Sequence, residues 1–139
     1  MVLYVVRHGE AEDGSERVAD EWRHLSVKGR KNSAIIAKAI ADLGSKPRQI
    51  ITSPLSRAVQ TAEIAVAYAC RKHNVETTAL LLPGGEVAEL VKYIKNCDDD
   101  GRVMLMTDFW RFGTVGSLNL RCSPRNALKY RALYVLQEI

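Results

Sequence analysis

Only three cysteines occur in the chain, Cys70, Cys97 and Cys122, and no two of them form a Cys-x-x-Cys pair. That spacing argues against a zinc site or a disulfide framework and leaves reduced structural thiols as the expectation. Long apolar runs are missing as well. The apolar opening stretch, Val2 to Val6, ends directly at Arg7. It is too short for the core of a signal peptide or for a membrane span, so a cytoplasmic protein with no membrane partner is expected. No basic run is interleaved with aromatics, and the net charge of +4 is modest. Such a balance suits an anionic ligand or an acidic partner protein better than nucleic acid. Repeats and low-complexity segments are absent. What remains is ordinary globular material, 47% hydrophobic and 26% charged over 139 residues, which predicts one domain spanning 1–139.

Within it, strand-like and helix-like stretches alternate. Val2 to Val6 is apolar without alternation, as in a buried, parallel, central strand. A polar loop, Ala11 to Arg23, leads to a helix capped by Ser26 and running to about Leu43, with Ile36, Ile40 and Leu43 on one face. Gly44 and Pro47 stop it. Gln49 to Thr52 predicts a second strand, and Ser53-Pro54 opens a helix to about Arg71 with a small-residue stripe at Ala58, Ala62, Ala65 and Ala69. Val75 to Leu81 predicts a third strand, Glu86 to Lys95 a helix, and Val103 to Met106 a fourth buried strand. This alternation implies a mainly parallel sheet with helices on both faces, a three-layer α/β/α fold. Thr114 to Asn119 also looks like a strand, but the seven residues before it are too few for a parallel crossover, so it should be antiparallel or outside the main order. From Asn126 onward, Leu128, Ala132, Val135 and Leu136 allow a terminal helix.

The chemistry gathers at two strand ends. Arg7-His8-Gly9 follows the first strand, and Gly9 lets the backbone turn and approach a ligand closely. Ser53-Pro54-Leu55-Ser56-Arg57 follows the second and puts Arg57 in a helix's first turn. A helix N-terminus favours anions, and two guanidinium forks match the oxygens of a phosphate. A neutral imidazole beside them is a nucleophile toward phosphorus. Arg7, Arg57 and Ser53 are therefore the candidate phosphate-binding residues and His8 the candidate covalent relay. This reading already points to phosphoryl transfer.

Arg7-His8-Gly9-Glu10 together with Ser53-Pro54-Leu55-Ser56-Arg57-Ala58-Val59-Gln60-Thr61-Ala62 resembles the paired signatures of the histidine phosphatase superfamily, which has the phosphoglycerate mutase-like fold. An Arg-His-Gly triplet alone would arise by chance in roughly one chain in a hundred of this length, so the weight falls on its pairing with the second stretch. The small size, the stretch Arg23 to Arg30 and the run Leu82-Pro83-Gly84-Gly85-Glu86-Val87 make the chain similar to SixA-type phosphohistidine phosphatases over residues 1–106. The resemblance implies that His8 attacks phosphorus, that Arg7 and Arg57 spread the charge, that water releases phosphate, and that no metal or other cofactor is needed. It also implies a carboxylate general acid, for which Glu86 is the candidate. The partners it suggests are the phosphate anion and a phosphorylated protein, such as a histidine phosphotransfer domain.

One departure stands out. The family carries a second catalytic histidine just after the fourth strand, commonly as Gly-His-x-Pro. Here the chain reads Met106-Thr107-Asp108-Phe109, with Asp108 at that position. A carboxylate there brings negative charge toward a phosphate dianion; with a raised pKa it would instead serve as an acid. The match is poor after residue 106, as if the fold were shortened at its C-terminal end. His24 lies in the loop before the first helix and could approach the site, whereas His73 ends a helix. Three readings follow: a phosphohistidine phosphatase, a phosphatase for another phosphate ester, and an impaired relative that only binds phosphate or a phosphoprotein. Trp22, Phe109 and Trp110 could line the pocket.

Overall fold

Val2–Arg7 form β1, and the four residues inside it are buried on both faces, as an unbroken Leu-Tyr-Val-Val run requires. The computed structural model describes residues 2–14, 16–42, 46–69, 75–97 and 101–107, and the strands at 121–122 and 133–137. After β1 come α1 (Val27–Asp42), β2 (Gln49–Thr52), α2 (Ser56–Ala69), β3 (Val75–Thr77), α3 (Val87–Lys95), β4 (Arg102–Thr107), β5 (Arg121–Cys122) and β6 (Leu133–Gln137). The sheet order is β3-β2-β4-β1-β6-β5. β3, β2, β4 and β1 run parallel; β6 is antiparallel to β1, and β5 to β6.

Crossover handedness explains the layers. From β1 through β2 to β3 the chain moves one way across the sheet, and from β3 to β4 it moves back. Right-handed crossovers then require α1 and α2 on one face and α3 on the other. The core divides accordingly. Tyr4, Val6, Ile50, Met104 and Met106 meet Ala37 and Ile40 of α1 and Ala62, Ala65 and Ala69 of α2. Leu3, Val5, Ile51, Val103 and Leu105 meet Leu81 and Ile94, with Leu90 and Tyr93 of α3 packed alongside. This is the three-layer α/β/α architecture expected, with the alanine stripe of α2 buried as predicted.

Three expectations need correction. The inward face of α1 is Gly29, Ser33, Ala37 and Ile40, with Ile36 only partly buried. Small residues lead because the first turn of α1 presses on the loop after β1. The third strand ends at Thr77, because the Thr78 side chain accepts the Leu80 N–H at 3.3 Å and starts a short 3-10 turn, Ala79–Leu81. Residues 133–137 are a strand rather than part of a terminal helix. β1 needs partners for its main-chain groups on both edges, and an apolar Leu-Tyr-Val-Leu run supplies them on the side away from β4. Short apolar runs cannot be assigned to helix or strand by periodicity alone. The strand expected at 114–119 and the helix stop at Gly44 lie outside the described residues.

The Tyr93 hydroxyl donates to Glu76 Oε2 at 3.1 Å and ties α3 to β3. Burial first, then this hydrogen bond, push the Tyr93 phenol up to about 12. The folded chain therefore holds the phenolic proton more tightly than the unfolded one. Its contribution to stability is complete below pH 10 and is lost as pH rises from there toward 12. Denaturant titrations over that alkaline window should show a steeper loss of stability for the wild type than for Tyr93→Phe; equal slopes would remove Tyr93 from the alkaline transition.

Candidate active site

The carboxyl ends of three parallel strands come level at one edge of the sheet. Arg7 pairs with Thr107, and Thr52 with Met106. Just beyond, the His8 N–H donates to the Thr107 carbonyl at 3.2 Å and the Ser53 N–H to the Met106 carbonyl at 3.0 Å. The Arg7-His8 turn and the start of α2 thus flank the end of β4. In open α/β sheets this edge is where ligands bind. Two further ties fix the turn. The Gly9 N–H donates to Thr61 Oγ1 at 3.1 Å, and Thr61 Oγ1 donates to the Arg57 carbonyl at 2.7 Å. The Ser26 N–H donates to the Glu10 carbonyl at 2.9 Å, while Ser26 Oγ caps α1 by accepting the Gly29 N–H at 3.0 Å.

Here the structure opens a cavity of about 550 Å3 whose lining includes Arg7, His8, Arg23 and Arg57. His8 is half-buried and Arg7 exposed, whereas Arg57 is 7% exposed. His8 Nδ1 stands 2.6 Å from the Gly9 carbonyl oxygen. A carbonyl oxygen only accepts, so Nδ1 carries a proton, and in the neutral ring the lone pair then sits on Nε2. That is the tautomer a nucleophilic imidazole needs. Arg57 donates from Nη1 to the Asp20 carbonyl at 2.7 Å and from Nη2 to Asp20 Oδ2 at 2.9 Å. The bond from Arg57 to Oδ2, then one from Arg23, hold the Asp20 carboxyl below its usual range.

The same cavity is lined by Glu10, Glu12 and Asp13. Lys28 Nζ reaches Glu10 Oε2 at 2.9 Å and Ser26 Oγ donates to Oε1 at 3.1 Å. The Lys28 bond, then the Ser26 bond, keep Glu10 below the usual carboxylate range, so it is a charged acceptor at neutral pH and no proton donor.

Of the residues expected from the sequence, the structure brings Arg7, His8 and Arg57 to one cavity. Ser53 is fully buried; its Oγ accepts the Leu55 N–H at 3.3 Å at the start of α2, and it is not among the cavity-lining residues. Glu86 is the exposed N-cap position of α3 and is not among them either. Asp108 lies outside the described residues, as do His73, Phe109 and Trp110. His24 is engaged elsewhere: Gln60 Nε2 donates to its Nδ1 at 3.0 Å. Trp22 is 63% exposed and does not line the cavity. Sequence reading passed over Asp20, Arg23 and Thr61. Arg23 and Thr61 stand inside the two recognisable stretches, but only the fold shows what they touch. Among the described residues no group of three or more His, Cys, Asp or Glu side chains could hold a metal ion, and no described helix is long and apolar enough to cross a membrane.

Fold and site together define a class: an α/β protein with a histidine and several guanidinium groups in one cavity at the carboxyl edge of its sheet. The family model of the histidine phosphatase superfamily (branch 1) matches residues 3–81, more than half the chain, and the chain belongs to that superfamily. An uncharacterised protein of Picosynechococcus sp. is 32% identical over 108 residues, covering 76% of this chain and 65% of that protein. The mitochondrial serine/threonine-protein phosphatase Pgam5 of Drosophila sechellia is 30% identical over 86 residues, 61% of this chain and 29% of its own length. The chain thus spans less than two thirds of either relative. Among solved structures, the protein histidine phosphatase SixA complexed with tungstate superposes with a TM-score of 0.71 at 24% identity, over 86% of this chain and 74% of that one. A mycobacterial glucosyl-3-phosphoglycerate phosphatase in complex with VO3 superposes at 0.60 and 17% identity, over 85% and 79%. These likenesses establish the phosphoglycerate mutase-like fold.

Proposed function

We propose that the chain is a phosphatase that hydrolyses phosphohistidine on a protein through a covalent intermediate on His8. The observation that carries this reading is the placement of His8, with its proton on Nδ1, in one cavity with Arg7 and Arg57. In the first step the Nε2 lone pair attacks phosphorus in line. The bond from phosphorus to the substrate's imidazole nitrogen breaks and its electron pair stays with that nitrogen; the ring, protonated on its other nitrogen, leaves as neutral imidazole. In the second step water attacks phosphorus, the bond to Nε2 breaks with its pair returning to His8, and phosphate departs as the water gives up a proton to solvent. Arg7 and Arg57 stabilise the charge on the equatorial oxygens in both steps.

Membership of the superfamily and the superposition on SixA support a phosphatase. Two chemical points favour phosphohistidine over an alkyl phosphate. With a proton on its other ring nitrogen the substrate's ring leaves as neutral imidazole, the conjugate base of an acid of pKa about 6.5, and needs little further help from an acid. An exposed Arg7 beside a half-buried His8 also leaves the nucleophile within reach of a side chain carried on a protein surface. Glu86 as general acid belongs to this proposal; Ser53, expected as a phosphate contact, is buried with its Oγ on the Leu55 N–H and serves the start of α2 instead. The second reading, a phosphate- or phosphoprotein-binding module without turnover, is favoured by one observation: Asp108 stands in the sequence where a catalytic histidine is expected.

Phosphate release from a phosphohistidine protein and from an aryl phosphate, measured for the wild type and Asp108→His, separates the two. Release by the wild type with preference for the phosphoprotein supports the enzyme. A silent wild type with activity gained by Asp108→His supports the binding module, and silence of both sinks the phosphatase.

A further inference from the structure

We propose that Asp20 is a positioning residue that locks Arg57 and Arg23 into one phosphate-facing wall, which makes Arg23 a third guanidinium of the anion site. The inference rests on the phosphate-binding reading of the pocket and adds two residues to it.

Asp20 occupies both terminal nitrogens of Arg57. Its carbonyl oxygen accepts from Nη1 and its Oδ2 from Nη2, so one residue grips the end of the fork through main chain and side chain together. A fork held at two points cannot swing about its last torsions, and Arg57 is deeply buried at the pocket wall. The other carboxylate oxygen, Oδ1, accepts from Arg23 Nη1 at 3.0 Å. Arg23 is pinned a second time by its Nε, which donates to the Glu12 carbonyl at 2.8 Å. The Asp20 carbonyl also accepts the Arg23 N–H at 3.3 Å, closing the 3-10 turn Asp20–Trp22 that carries the carboxylate. One carboxylate therefore bridges two arginines that both line the cavity holding Arg7 and His8. Its own side chain is 65% exposed.

Charge and geometry make opposite predictions here. By charge alone, a carboxylate beside an anion pocket weakens phosphate binding, and neutralising it should tighten the site. If Asp20 acts by holding two forks in register, neutralising it loosens both, because an asparagine oxygen accepts from one arginine while its amide repels the other.

The test is titration of inorganic phosphate, by calorimetry or phosphorus NMR, into the wild type, Asp20→Asn, Arg23→Gln and the double variant, with circular dichroism as the folding check. Asp20→Asn should bind phosphate about tenfold more weakly, Arg23→Gln about the same, and the double variant little worse than either, because both act on one bridge. Where Asp20→Asn does not fold, Asp20→Ser serves, since its hydroxyl still accepts one hydrogen bond. On an aryl phosphate the variants should raise KM more than they lower kcat. Unchanged or tighter phosphate binding by Asp20→Asn overturns the proposal and makes Asp20 a competing anion. Losses that simply multiply in the double variant overturn the bridge. A wild type that binds no phosphate removes the anion pocket itself, a different failure that takes the proposed function with it.

Discussion

Phosphate release should fall by roughly a thousandfold or more when His8 becomes alanine, while the affinity for inorganic phosphate should change little. The two halves of that expectation have separate physical origins. In the proposed mechanism His8 supplies the bond-forming electron pair, and His24 cannot replace it: it does not line the cavity, and its Nδ1 accepts from Gln60, which leaves the proton of the neutral ring on Nε2. Phosphate affinity is assigned in the same proposal to the guanidinium groups, which an alanine at position 8 leaves in place. The Nδ1 contact to Gly9 sharpens the test, because it assigns the bond to phosphorus to Nε2. Acid-labile phosphate trapped on the wild-type protein should map to the peptide containing His8, and phosphorus NMR should report the Nε2-linked isomer. A His8→Ala protein that keeps a tenth of the wild-type rate would end the covalent mechanism, and a stable label on any other residue would move it.

The second large effect is expected at Gly29, twenty-one residues after His8 and not itself among the cavity-lining residues. Alanine there should destabilise the protein and also impair the site. A Cβ at Gly29 would overlap the Glu10 carbonyl oxygen, and one at Gly9 would stand 2.7 Å from the Gly29 carbonyl and 2.6 Å from Ser33 Oγ. The first turn of α1 and the turn carrying His8 thus cross with no room for a side chain, and the Ser26 N–H bond to Glu10 prevents them from parting. Alanine gains about 1 kcal/mol of helix propensity over glycine, but overpacking against backbone costs up to about 3 kcal/mol and cannot be relieved by a rotamer change. The overlap wins, and a net loss of about 2 kcal/mol is expected, seen as a fall of several degrees in Tm. Displacing the His8 turn by even about 1 Å should lower kcat by roughly a hundredfold. Thermal melts and steady-state rates of Gly29→Ala check both; an alanine protein as stable and as active as the wild type would show that the crossing has slack.

Local patterns made the elements legible. β2 has the bounds read from the sequence, Gln49 to Thr52, Ser26 caps α1, and the alanines at 58, 62, 65 and 69 are buried. Each depends on neighbours within one or two turns. The element read as a terminal helix became β6 because its partner, β1, lies more than a hundred residues away. The inward face of α1 shifted to Gly29 and Ser33 for a similar reason, since nothing near them in the chain announces the Glu10 turn. At the site, Arg7, His8 and Arg57 were readable because each sits at a strand end or helix start, where α/β folds place chemistry. Ser53 also follows a strand end, yet its hydroxyl turns inward and caps the start of α2.

By itself, then, the order of residues determined the layered fold, the parallel strands and the histidine–arginine pair at their carboxyl ends, because backbone preferences and hydrophobic period act over short distances. Which side chains share the pocket was decided only by the tertiary structure. A carboxylate in a polar loop bridges two arginines, and a threonine of α2 holds the glycine beside His8, since hydrogen bonds and charge pairs depend on distances in space that the spacing along a chain does not encode.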